Sequence, residues 1–161
     1  MGIEIRHLHH VGHVVRDMRR GLDLYRRLGF DCPPPAYPVM SEPAGEPPRP
    51  FGAANTHAAF ARNFVELATV VSDDAPIPDN ASLVPIQVPP AALPKFLETL
   101  ERTVATLASG LSRFEGLHIL VLQTDDVAAT AARFDQLGVR HSGANLVRRQ
   151  IETRNVISPS D

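Results

Sequence analysis

The residues best suited to chemistry begin near the start of the chain, where four histidines fall within seven positions of the segment RHLHHVGHVVRDM at 6–18. This segment is rich in β-branched residues and predicts a strand, in which alternate residues share a face. His10, Gly12 and Val14 would then point one way, whereas His13 would point toward a covering helix. A histidine on such a strand is either a metal ligand or acid–base group, or an ordinary residue of the strand. His7 and His9 are expected to be structural or exposed.

A second polar group lies in the segments AANTHAAFA and FVELATVV, which flank Arg62-Asn63. These two residues predict a two-residue hairpin turn, with Glu66 opposite Ala59 and His57 opposite Ala68. In that register Asn55, His57 and Glu66 share one face of the hairpin.

Glu66 is a carboxylate among apolar neighbours, and its burial without a partner would be costly. A cation, a hydrogen-bond donor or solvent is therefore expected beside it. Histidine and carboxylate side chains together are suitable ligands for a borderline divalent ion.

Composition places the chain among globular proteins. Its 161 residues are 43% hydrophobic and 21% charged, and the net charge of −2 argues against binding to nucleic acid or to an anionic membrane. Transmembrane insertion is not expected either, because no apolar run approaches the length of a membrane span. Cys32 is the single cysteine, so no internal disulfide can form, which suits a cytoplasmic location.

The elements that must position these residues recur along the chain. The first strand is followed by Asp17 as a helix N-cap and Gly29 as a stop, and a shift of 109 residues aligns these with Asp126 and Gly138. We interpret this recurrence as a duplicated strand–helix unit. A long amphipathic helix is predicted between the two copies, from Pro90 to Phe114.

Two proline clusters punctuate the chain. Residues 32–52 hold eight prolines, which predict a loop or at most an edge strand, and a second cluster falls between 73 and 90.

The segments at 8–30, 63–71 and 116–139 resemble the vicinal oxygen chelate superfamily, which includes glyoxalase I, bleomycin-resistance proteins and extradiol dioxygenases. The resemblance implies an α+β fold of paired β-α-β-β-β modules. A first module would occupy 1–72, and a proline-rich linker with the amphipathic helix 73–115. A second module, incomplete at its C-terminus, would occupy 116–161.

The same resemblance implies a site. His10 and Glu66 match the first two metal-ligand positions, and Glu66 would also be the catalytic group that carries the proton. Ile119 stands at the third ligand position, and the strand that carries the fourth ligand is not visible before the chain ends at Asp161. The substrate site would be lined by His57, Asn55 and Ile119. One divalent metal ion would bind weakly at His10 and Glu66.

These residues leave two functions open. One is a metal-dependent lyase, isomerase or oxygenase that acts on a compact oxygenated substrate. The other is a non-catalytic protein that binds a small molecule or drug, which the apolar Ile119 favours. A chain that is one strand short also predicts a homodimer, because unpaired backbone groups at a sheet edge need a partner.

Overall fold

The computed structural model describes residues 5–40, 48–72 and 76–144, which contain six strands and three α-helices. The strands are β1 (Ile5–Val14), β2 (Ala36–Val39), β3 (Ala53–Ala59), β4 (Phe64–Val70), β5 (Ser82–Pro85) and β6 (Gly116–Thr124). The helices are α1 (Met18–Arg27), α2 (Leu93–Arg113) and α3 (Val127–Gln136), and a 3-10 turn at Pro90–Ala92 precedes α2. The mixed α+β class is confirmed.

The chain divides into two compact units, one of residues 7–123 and one of residues 1–6 with 124–161. None of the helices in the described ranges is long and apolar enough to cross a membrane. The final strand, which the sequence analysis did not find, would fall after residue 144 and lies outside the described residues.

The six strands form one sheet in the order β5-β2-β3-β4-β1-β6. β1 runs parallel to β4, with His10 opposite Phe64 and Gly12 opposite Glu66. β3 and β4 form the predicted antiparallel hairpin. The sheet therefore brings the histidine segment and the Glu66 segment side by side.

The hairpin register differs from the prediction. Glu66 lies opposite His57, not Ala59, and Ala68 lies opposite Asn55, not His57. The backbone NH of Phe60 donates to the carbonyl of Asn63 over 2.8 Å, so the two turn residues are 61 and 62. Because the pairing moved by two residues, every side chain kept its face, and Asn55, His57 and Glu66 still lie on the same one.

The first proline stretch also differs from the prediction. β2 lies between β3 and β5, so it is not an edge strand, and Tyr37 and Val39 are buried within it. A proline can occupy an inner strand because it lacks only the backbone NH donor and keeps its carbonyl acceptor. Pro38, for example, accepts from the backbone NH of Phe51 over 3.0 Å.

α1 covers one face of the sheet. Asp17 caps it by accepting from the backbone NH of Arg20 over 3.2 Å, and the chain leaves it at Gly29, whose φ is +93°. The buried residues of this core are Met18, Leu22, Tyr25, Cys32, Ala58 and Leu67.

α2 packs on the opposite face. Its Leu107 and Leu111 bury Val14 of β1, with Val70 and Ile119 against the same cluster. Val14 and His10 point to the same side of β1, so α2 covers the C-terminal part of the face that carries His10. Nearer the start of β1, His10, Phe64 and Glu66 are half-buried, and Asn55 and His57 are exposed.

The strand–helix repeat holds in the local structure. The 109-residue shift that aligns Asp17 with Asp126 also carries the bounds of α1 onto those of α3. Asp126 caps α3 by accepting from the backbone NH groups of Ala128 and Ala129, both over 2.9 Å, and Gly138 has a φ of +67°.

Candidate functional site

Glu66 stands at the centre of the polar cluster. The side-chain amide of Asn55 donates to its Oε1 over 2.7 Å, and Nε2 of His10 lies 3.6 Å from its Oε2. The His10 and Glu66 side chains are 15% and 21% exposed, so both are partly shielded yet reachable from solvent. His57 is the cross-strand neighbour of Glu66. The structure thus brings together four residues that the sequence analysis selected.

The aromatic ring of Phe64 contacts the rings of three histidines. The ring of His10 stacks on it at a centroid distance of 4.5 Å, and the rings of His9 and His57 each lie at 5.5 Å. Phe64 occupies this place because it is the direct β4 neighbour of His10. The sequence analysis missed it, since the FVELATVV pattern does not reveal that β4 lies beside β1.

His9 was expected to be structural or exposed, and it contacts the site directly. Its Nδ1 lies 2.7 Å from Nδ1 of His10, so one ring donates a hydrogen bond and the other accepts it. Two adjacent strand residues normally face opposite ways. The sequence therefore held no signal for this contact.

Ile119 closes the cluster on the side of α2. Its side chain packs against Gly12, and a Cβ added at Gly12 would lie only 2.7 Å from the Cβ of Ile119. Gly12 is also the direct β1 neighbour of Glu66. An apolar side chain therefore fills the space beside the carboxylate at the position where the resemblance implies a third ligand.

His13 lies apart from this cluster, as expected from its position on the opposite face of β1. Its Nδ1 is 3.0 Å from the Tyr25 hydroxyl, on the side that α1 covers. Burial lowers the pKa of His13, and the nearby Glu115 carboxylate offsets part of this effect. The Cys32 thiol is buried among apolar residues, which raises its pKa and leaves it a poor nucleophile.

His10 and Glu66 could hold a divalent ion between them, since their nearest ligand atoms are 3.6 Å apart and are of the preferred types. Among the residues at 5–40, 48–72 and 76–144, no group of three or more His, Cys, Asp or Glu is placed to hold a metal. The described donors therefore fit an ion with two protein ligands, which leaves several positions for oxygen atoms of another molecule.

The same arrangement suits proton transfer. Asn55 occupies Oε1 of Glu66, so the other oxygen, Oε2, stays directed toward His10. A carboxylate held in one orientation beside a histidine has the geometry that general acid–base chemistry requires.

The family model of the glyoxalase-like domain matches residues 8–157. Among solved structures, the chain is similar to a hypothetical protein of Bacillus halodurans C-125, with 16% identity and a TM-score of 0.43. That alignment covers 82% of this chain and 68% of the other. No curated protein matches the sequence.

Proposed function

Because the chain belongs to the glyoxalase-like domain family of the vicinal oxygen chelate superfamily, we propose that it is a small-molecule enzyme with its site at His10 and Glu66. Its reaction would be a lyase, isomerase or oxygenase reaction on a compact substrate with neighbouring oxygen atoms. The observation that carries this proposal is the 3.6 Å approach of His10 to a Glu66 carboxylate that Asn55 already orients.

In this proposal His10 and Glu66 hold one divalent metal ion weakly. Such an ion polarises substrate oxygens and stabilises the negative charge that develops on them. The chain's own residues supply the rest. Asn55 fixes the carboxylate, Glu66 accepts or returns a proton, and His57 and Phe64 contact the substrate.

Two protein ligands hold an ion poorly alone and better when a bidentate oxygen ligand completes the coordination. Oxalate serves as such a probe. We expect untagged protein to bind Mn²⁺ weakly by calorimetry, and at least about tenfold more tightly with oxalate present. Glu66→Gln should remove this gain, whereas Glu98→Gln on α2, an exposed carboxylate far along the chain, should not. An oxalate effect of equal size in Glu66→Gln would contradict the proposal.

A second function, binding without chemistry, is favoured by one observation. Ile119 and Phe64 give the cluster two apolar walls, and the first of these fills the third ligand position. If this function holds, a bound compound is recovered unchanged, and Glu66→Gln lowers its affinity by about 1–2 kcal/mol, the worth of one hydrogen bond. If the enzyme proposal holds, the same change lowers turnover by a factor of about 10² to 10⁴.

We also propose that the protein is a cytoplasmic homodimer. β6 lies at one edge of the described sheet, and its Leu117 and Leu120 are 60% and 65% exposed. An apolar strand at a sheet edge favours pairing with a second copy. Light scattering that gave the 17.5 kDa mass of one chain at high concentration would contradict the dimer.

A further inference from the structure

A groove of about 410 Å³ lies between α2 and the start of β6, within residues 102–119. This volume is in the range of pockets that accept compact organic molecules. The residues that matter for its chemistry are Arg102, Thr106, Leu107, Ser109, Arg113 and Ile119.

The polar wall of the groove is one stripe of α2. Arg102, Thr106, Ser109 and Arg113 follow one another at intervals of four, three and four residues, which places them on one line along the helix. Neither arginine forms an ion pair with another residue of the described ranges. Among the residues that the structure describes, no Asp or Glu lines the groove. The stripe therefore presents two guanidinium groups, with hydroxyl-bearing residues between them.

The other wall is mostly apolar. Leu107 and Ile119 line it beside the His118 ring, and both pack into the cluster around Val14. A ligand lying along the groove would therefore contact hydrocarbon on one side and the polar stripe on the other.

The two arginines mark the ends of the groove. They are eleven positions apart, which corresponds to about 16 Å along the helix axis. Side chains on a helix all lean toward its N-terminus, so both guanidinium groups are displaced in the same direction and the distance between them is kept. One carboxylate or phosphate group, only a few ångströms across, would contact one arginine and leave the other unused.

We propose that this groove binds an elongated organic dianion, with an acidic group at each of Arg102 and Arg113 and an apolar body against Leu107 and Ile119. Guanidinium groups suit this role because they bind carboxylates and phosphates in bidentate fashion. The proposal goes beyond the function proposed for Glu66 and does not depend on it. Ile119 is the one residue that the two sites share.

Calorimetric titration with decanedioate, decanoate and butanedioate tests the proposal. Decanedioate combines two acidic groups with a chain of suitable length, decanoate lacks one acidic group, and butanedioate is too short to reach both arginines. We expect decanedioate to bind at least about tenfold more tightly than either of the others, because each charge-assisted pair strengthens binding.

Variants locate the binding. Arg102→Gln and Arg113→Gln should each reduce decanedioate affinity about tenfold, to the level of decanoate. Lys95→Gln removes the same charge from α2 outside the groove and should leave the affinity unchanged. Glu66→Gln should also leave it unchanged, so failure of the Glu66 proposal and failure of this one are distinguishable.

Three results would overturn the proposal: no measurable binding of decanedioate, equal binding of decanedioate and decanoate, or an equal loss in Lys95→Gln and Arg102→Gln. Each of them would mean that the two guanidinium groups do not act together on one ligand.

Discussion

Ile119 occupies the space that a side chain at Gly12 would need, since a Cβ at Gly12 would lie 2.7 Å from both Cβ and Cδ1 of Ile119. A glycine within a strand often marks a close approach by another group. Here the group is an apolar side chain that stands beside Glu66, the β4 neighbour of Gly12. The contact fixes the wall of the candidate site and joins β1 to β6.

Gly12→Ala should therefore destabilise the protein. The new methyl group cannot be accommodated unless β6 moves, and overpacking of this kind costs about 1–3 kcal/mol. Urea denaturation measures the loss. Ile119→Gly removes the opposing Cβ, so the double variant should lose less stability than the sum of the two single variants. Strictly additive losses would mean that the two residues do not compete for space.

The local elements could be predicted from the sequence, whereas the pairing between them could not. The helix caps act locally: Asp17 and Asp126 accept hydrogen bonds from backbone NH groups within one turn, and the glycines that end the helices also act within one turn. A short segment of sequence therefore determines them. Phe64 beside His10 depends instead on β4 entering the sheet next to β1, and no local pattern encodes that adjacency.

The hairpin is an intermediate case. Alternation correctly predicted which face carries Asn55, His57 and Glu66, because this result needs only a period of two. The choice of turn residues was wrong, and with it each cross-strand partner. Ala61-Arg62 holds no Gly, Asn or Asp, so the turn has none of the usual residue signals.

Ile119→His should raise the affinity for a divalent ion. The change adds an imidazole beside Gly12, on the face that carries His10 and Glu66, and a third protein ligand should tighten binding of Zn²⁺ at least about tenfold. Calorimetry with untagged protein measures it, with Ile119→Leu as the apolar control. Unchanged Zn²⁺ affinity would show that residue 119 does not reach the pair.

His13 should make stability depend on pH. Burial lowers its pKa in the folded state below the ordinary value of 6.5, so the unfolded chain binds the proton more readily. Stability should therefore fall as the pH drops below about 6.5, and it should be fully present above that value. Chemical denaturation of the wild-type protein and His13→Gln at a series of pH values tests this. A slope of equal size in His13→Gln would assign the effect to other groups.

The last prediction concerns Gly110, a glycine inside α2 that borders the groove. Glycine in a helix interior costs up to about 1 kcal/mol relative to alanine, so Gly110→Ala would ordinarily stabilise the helix. Here the new Cβ would lie 3.0 Å from Cγ of the His118 ring, and the contact between Nε2 of His118 and the Phe114 carbonyl, 2.9 Å long, restrains that ring. We therefore expect no gain, or a loss, from Gly110→Ala alone. In the His118→Ala background the same change should raise the free energy of unfolding by about 0.5–1 kcal/mol. Ala108→Gly, on the exposed side of α2, should cost a similar amount in both backgrounds. If Gly110→Ala stabilises the protein equally with and without the histidine ring, the close approach of His118 does not explain the glycine.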